Sequence, residues 1–196
     1  ALERPAACIF AGAGQAAWSA AMQASRSARR SAKAVQEEKL VVGGGLAAHT
    51  FGPVQRGAES LDVRSGAWET QPRLDWKNVG HVGAAVGRYL YVCGGHGIMG
   101  RSVNRLNPAD MSWTSMAPMR RPRFCAAAAV VGGAIYVAGG CTPSEVWDSV
   151  ECCRPNAAGE ASAWTLTAGR VACRRSHAAV ALRGKVFLCG GCNQPV

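Results

Sequence analysis

The strongest constraint on this chain is a spacing. Four tryptophans each lie 26 residues before the first glycine of a Gly-Gly pair. Trp18 leads to KLVVGGG and Gly44-Gly45, and Trp68 leads to YLYVCGG and Gly94-Gly95. Trp113 leads to AIYVAGG and Gly139-Gly140, and Trp164 leads to KVFLCGG and Gly190-Gly191. The return stretch, from each glycine pair to the next tryptophan, varies in length. A constant half alternating with a variable half is the signature of a repeated supersecondary unit carrying one adjustable loop.

The repeat reads as four short strands per unit. Apolar runs such as Tyr89–Cys93, Ala134–Ala138 and Lys185–Cys189 end at the glycine pairs. Each is preceded, across a Gly-bearing turn, by another short run: His81–Val86, Phe124–Val131 and Ser176–Leu182. Third strands are expected near Glu59–Val63, Ser102–Leu106 and Ser149–Cys153, and the tryptophans open the fourth. Glycine ends the second strand where the chain must bend without a β-carbon. Tryptophan supplies apolar area that can pack between neighbouring sheets. The unit length of about 45–50 residues is that of a propeller blade, which cannot bury both of its faces alone.

Composition narrows the class. The chain has 196 residues, enough for one domain with a core. No apolar run reaches the ~18 residues of a membrane span, and no secretory signal opens the chain. It begins at Ala1 in mid-pattern, which suggests a fragment or a processed chain. The net charge of +10 comes mostly from scattered arginines, with small groups at Arg29-Arg30, Arg120-Arg121 with Arg123, and Arg174-Arg175. Such a surface favours acidic partners. The stacking aromatics of a nucleic-acid groove are not evident. Nine cysteines are an odd set whose spacing follows the repeat, with Cys93 and Cys189 in equivalent places. That suits reduced thiols used as small apolar residues in a cytoplasmic protein.

Five segments follow. Residues 1–22 form a half blade holding strands three and four. Residues 23–71, 72–117 and 118–168 are full units, the first with a degenerate start. Residues 169–196 are a half blade holding strands one and two. Between Ala20 and Glu38 the composition also suits an Ala-rich basic helix. The two halves could close a four-bladed ring, or the chain could be an arc of a larger propeller with open strand edges.

At this point the residues resemble the kelch repeat. SVNRLNPADMSWTSMAPMRRPR, from Ser102 to Arg123, carries nearly all of its pattern, and SVECCRP, from Ser149 to Pro155, carries the strand part again. Leu61, Leu106 and Cys153 stand where the pattern has tyrosine. The arginine ten residues after tryptophan is kept at Arg123 and Arg174, and is Ala28 and Asn78 earlier. The resemblance implies an all-β kelch-type propeller, or an arc of one, built from four-stranded antiparallel blades.

Fold alone does not give function. The resemblance includes copper-radical oxidases, but here the tyrosines Tyr89, Tyr91 and Tyr136 sit in or beside second strands. His81 and His177 share one register, 13 residues after their tryptophans, as repeat residues would. His49 and His96 lie in loops without a pairing that would hold a metal. Cys189-Gly190-Gly191-Cys192 is formally CxxC, yet no second CxxC accompanies it. A non-catalytic protein without metal or cofactor is therefore expected.

The resemblance implies two ligand-facing positions per blade. One follows the arginine position: Arg29, Val79, Phe124 and Arg175. The other follows the glycine pair: Leu46, His96, Cys141 and Cys192. Arg101 matches a ligand-contacting arginine. Arginine offers bidentate contacts to carboxylates and Phe an apolar anchor, so an acidic, turn-like peptide is the expected partner. Cys141 and Cys192, near arginines, are the thiols whose pKa is expected to fall. The cellular role implied is substrate recognition for a cullin–RING ubiquitin ligase through an adaptor domain outside the chain. An actin-associated scaffold is the alternative, and a kelch-fold oxidase or sugar isomerase a distant one.

Overall fold

The structure is a computed structural model and describes residues 39–43, 57–73, 79–96, 100–161 and 163–194. Every named element among them is a strand. The first sheet orders β1 (Lys39–Gly43), β2 (Ala58–Asp62) and β3 (Trp68–Gln71). The second orders β4 (Val82–Val86), β5 (Tyr89–Cys93), β6 (Val103–Asn107) and β7 (Ser112–Ser115). The third orders β8 (Ala127–Val131), β9 (Ala134–Ala138), β10 (Ser149–Cys153) and β11 (Thr165–Arg170). The fourth pairs β12 (Ala178–Leu182) with β13 (Lys185–Cys189). All pairings are antiparallel between strands adjacent in sequence. The half blade expected at residues 1–22, with Trp18, lies outside the described residues, as do Gly44 and Gly45.

Successive sheets meet through their first strands: β4 lies beside β8, and β8 beside β12. The core fills the space between the second and third sheets. Tyr91, Cys93, Val103 and Met119 from one side meet Ile135, Val137, Cys153 and Trp164 from the other. Cys93 packs as the small apolar residue expected of it, as does Cys153, and burial pushes the Cys93 thiol pKa well up; Cys189, its equivalent in the repeat, is exposed. The tryptophans do not share one environment. Trp164 is 2% exposed and donates its indole N–H to the Ala117 carbonyl of the preceding unit at 3.1 Å, whereas Trp68 is 49% exposed. Tryptophan therefore seals the contact between sheets at the third unit and not at the first.

The glycine pairs explain the fixed spacing. Gly94, Gly95, Gly139 and Gly140 all have positive φ. Gly95 N–H donates to the Arg123 carbonyl at 2.9 Å, and Gly140 N–H donates to the Arg174 carbonyl at 2.9 Å. β5 and β9 thus each end by binding the connection that leads into the next sheet. A residue inserted between tryptophan and glycine would break that register, while one inserted between the second and third strands would only lengthen a loop.

The connection is also fixed from inside. Arg123 and Glu151 form a fully buried ion pair at 3.0 Å. Arg123 further donates to the Gly139 carbonyl at 2.6 Å, the Ser149 carbonyl at 2.9 Å and Ser149 Oγ at 2.8 Å. Glu151 accepts the backbone N–H groups of Arg120 at 2.6 Å and Arg121 at 3.1 Å. Burial pushes the Arg123 pKa down, and Glu151 opposes that shift. In the preceding unit the arginine position is Asn78, outside the described residues, and Asn104 stands where Glu151 does. Arginine and glutamate are thus replaced together there.

His81 and His177 are both buried, at equivalent positions of the repeat. Burial, and then the charge of Arg174, depress the His177 pKa from 6.5 to about 4. The unfolded chain therefore takes up the proton first. Stability is full above the ordinary 6.5 and falls as pH drops from there toward 4, with a limiting slope of about 1.4 kcal/mol per pH unit from this group. Urea unfolding between about pH 7 and pH 5 should show this loss, and His177→Gln should flatten it.

Candidate functional site

The two expected rows of ligand-facing residues prove to be partners. His96 N–H donates to the Val79 carbonyl at 3.0 Å. Phe124 and Cys141 exchange backbone bonds at 2.9 and 2.8 Å, and Arg175 and Cys192 do the same at 2.9 and 3.1 Å. The residue after the arginine position and the residue after the glycine pair therefore lie side by side in the second, third and fourth sheets, just beyond the ends of their first two strands.

A second set of bonds runs across the sheets. The residue after each of Val79, Phe124 and Arg175 is left-handed: Gly80 at φ 67°, Cys125 at 52° and Ser176 at 55°. That turn aims its carbonyl at the next sheet. Cys125 N–H donates to the Gly80 carbonyl at 2.8 Å, and Ser176 N–H donates to the Cys125 carbonyl at 2.8 Å. The result is a continuous backbone rim joining three sheets. Glycine takes this conformation freely, while Cys125 and Ser176 hold it at a strain cost of about 1–2 kcal/mol each.

Phe124 uses the missing side chain of Gly80. Its ring lies where a β-carbon of Gly80 would be, so it reaches from the third sheet over the second. There it meets His96 edge-on, with ring centroids 5.2 Å apart and planes at 79°. Phe124 is half-buried and His96 exposed, which leaves an aromatic surface on the rim. Arg175 is half-buried and donates from Nε to the Gln194 carbonyl at 2.6 Å. Arg101 is exposed and pinned by the Met119 carbonyl at 2.7 Å. Cys192 is exposed. Arg29 and Leu46 lie outside the described residues.

Cys141 departs from the expectation. It is 1% exposed, and its thiol points to the Phe124 carbonyl at 3.6 Å. The antiparallel bridge to Phe124 turns the side chain inward, so it offers a partner nothing but backbone. Burial raises its thiol pKa, Cys125 adds to that rise, and Arg175 opposes it. The expected drop in pKa is therefore reversed at Cys141, because desolvation outweighs the nearby cation. Cys125, not singled out by the repeat, is raised in the same way. Among the described residues, no group of three His, Cys, Asp or Glu side chains could hold a metal ion. No helix among them is long and apolar enough to cross a membrane.

The Kelch motif family model matches residues 122–152. That stretch contains both ends of the buried Arg123–Glu151 pair and the glycine pair between them. Kelch-like protein 33 of Homo sapiens is 32% identical over 138 residues, 67% of this chain and 25% of that protein. The chain belongs to the kelch-repeat family. Kelch-like protein 40 of Xenopus laevis is 30% identical over 93 residues, 46% of this kelch chain and 15% of its relative. The F-box/kelch-repeat protein At1g67480 of Arabidopsis thaliana is 32% identical over 82 residues, 40% of this chain and 22% of that protein. The kelch chain thus spans a quarter or less of the length of these relatives. A solved structure titled "Structure of YjhT" superposes with a TM-score of 0.65 at 15% identity, over 78% of this chain and 56% of that one. The sheets of this chain are blades of the kelch-type propeller fold.

Proposed function

We propose that this kelch chain is a non-catalytic recognition module that holds an acidic, turn-like peptide segment of another protein on the rim. The carrying observation is the contact between His96 and Phe124, with ring centroids 5.2 Å apart. It presents an apolar anchor on a rim that also bears Arg101 and Arg175. Aromatic anchors ringed by arginine are the composition of protein-interface hot spots. Arg29, Leu46 and Cys192 complete the proposed contacts, and Cys141 contributes its backbone alone. In this reading the segment works in the cytoplasm as the substrate-recognition part of a cullin–RING ligase adaptor. The pairing of F-box with kelch repeats in one relative's name supports a recognition role inside a larger protein.

The test is fluorescence anisotropy with a labelled library of Asp- and Glu-rich turn peptides. Phe124→Ala should weaken capture by at least about tenfold, the loss of one hot-spot anchor. Arg101→Glu with Arg175→Glu should weaken it further at low salt than at high salt. Capture that is equal in all three proteins would exclude the rim as the peptide site.

A further inference from the structure

The end of the sheets away from the rim carries a second concentration of charge. A cleft of about 670 Å³ opens between the β4–β5 turn, the β8–β9 turn and the segment after β10. Arg88, Tyr89, Tyr91, Gly133, Arg154 and Asn156 are among its lining residues. Three guanidinium groups gather around it, and each is anchored. Arg88 donates to the Tyr89 hydroxyl at 2.8 Å, Arg105 donates to the Ala158 carbonyl at 2.8 Å, and Arg154 donates to the Gly132 carbonyl. Arg88 and Arg105 both stand over the Tyr89 ring, at 5.0 and 4.6 Å from its centre.

None of the three arginines is in an ion pair with a described residue. Glu160, close in sequence, has a carboxylate that accepts from Asn156 at 2.9 Å instead. The Nε–H of Arg105 is shielded from solvent and lacks an acceptor. Two like charges on one ring, with a third at the same cleft, repel one another. The aromatic face offsets only a small part of that repulsion. Among the described residues, no carboxylate forms an ion pair with them.

The geometry points to a phosphate-binding cleft that takes a phosphorylated serine or threonine side chain on a partner polypeptide. A dianion matches several guanidinium groups better than one carboxylate does, and each anchored arginine retains further N–H donors. The Tyr89 hydroxyl accepts from Arg88 and keeps its own proton to donate. Gly87 and Gly133 leave room at the mouth, and the apolar Val86, Pro155 and Ala157 can hold the main chain beside the phosphate. This cleft is separate from the rim, so the two sites stand or fall independently.

The full chain, labelled with ¹⁵N, would be titrated with acetyl-Gly-phosphoserine-Gly-amide. Shifts are expected at the amides of Gly87, Gly133 and Asn156 and at the Nε–H signals of Arg88 and Arg154, with those of His96 and Phe124 unmoved. Arg88→Gln with Arg154→Gln, both exposed at turns, should weaken binding at least tenfold and leave the remaining spectrum intact. Tyr89→Phe, which removes only the hydroxyl, should weaken it about threefold and serves if the double variant unfolds. The proposal fails if the unphosphorylated peptide gives the same shifts, or if the variants bind as the parent does. Inorganic phosphate binding as tightly as the phosphopeptide would make the cleft a free-anion site and overturn the polypeptide partner.

Discussion

Glu151→Ala will lower unfolding stability by about 3–5 kcal/mol, the range for removing one partner of a buried ion pair. The loss is large because it orphans more than one group. Arg123 keeps its charge at 0% exposure, and the N–H groups of Arg120 and Arg121 lose the acceptors that hold them at 2.6 and 3.1 Å. Arg123→Ala should cost a similar amount, since it strips donors from Gly139, Ser149 and Glu151 together. The double variant should lose less than the two single losses combined, because each alone leaves a buried charge unpaired. Urea midpoints for the parent, both single variants and the double variant would decide it. Losses that simply add would mean that the two side chains act independently.

Gly139→Ala is the second severe change. A β-carbon there would lie 2.5 Å from the Arg174 carbonyl oxygen and 2.9 Å from the His177 ring, on a backbone at φ 60°. The carbonyl belongs to the connection between sheets and cannot turn aside without breaking its bond to Gly140. A loss of about 3 kcal/mol or more is expected, from left-handed strain plus the overlap. Gly132→Ala is the control. Its φ of 54° is similar, but nothing lies within 4 Å of the added carbon. It should cost only about 1 kcal/mol, the conformational part alone. Equal urea midpoints for the two variants would show that the close approach at Gly139 carries no weight.

The strands were legible because each has a local cause: a short apolar run, a turn residue, a glycine pair. β5, β9 and β13 end at the glycine pairs, and β6 and β10 fall on the SVNRL and SVECC runs. The pairing of His96 with Val79, and of Phe124 with Cys141, was half legible. Phase put both rows in order along the chain but did not reveal that they touch. Cys141 was misread because its side-chain direction follows from the antiparallel bridge, which composition does not encode. Tryptophan was over-read at Trp68, since its burial depends on what a neighbouring sheet presents. The left-handed backbone at Cys125 and Ser176 left no trace, because the residues there are not glycine. The Arg88–Tyr89–Arg105 stack joins two strands and a turn through side-chain reach, so no spacing announces it.

The link from Gly95 N–H to the Arg123 carbonyl also sets an order in time. On a ribosome the second blade would be spun out long before Arg123, so the end of β5 must wait for a later segment to satisfy it. The Tyr91 hydroxyl waits longer still, for the Gly159 carbonyl that it meets at 2.7 Å. Arg123 in turn waits for Glu151. The second and third blades are therefore born with buried polar groups that only a later segment can complete. Synthesis from the amino end makes the nascent arc mature one blade behind the point of elongation.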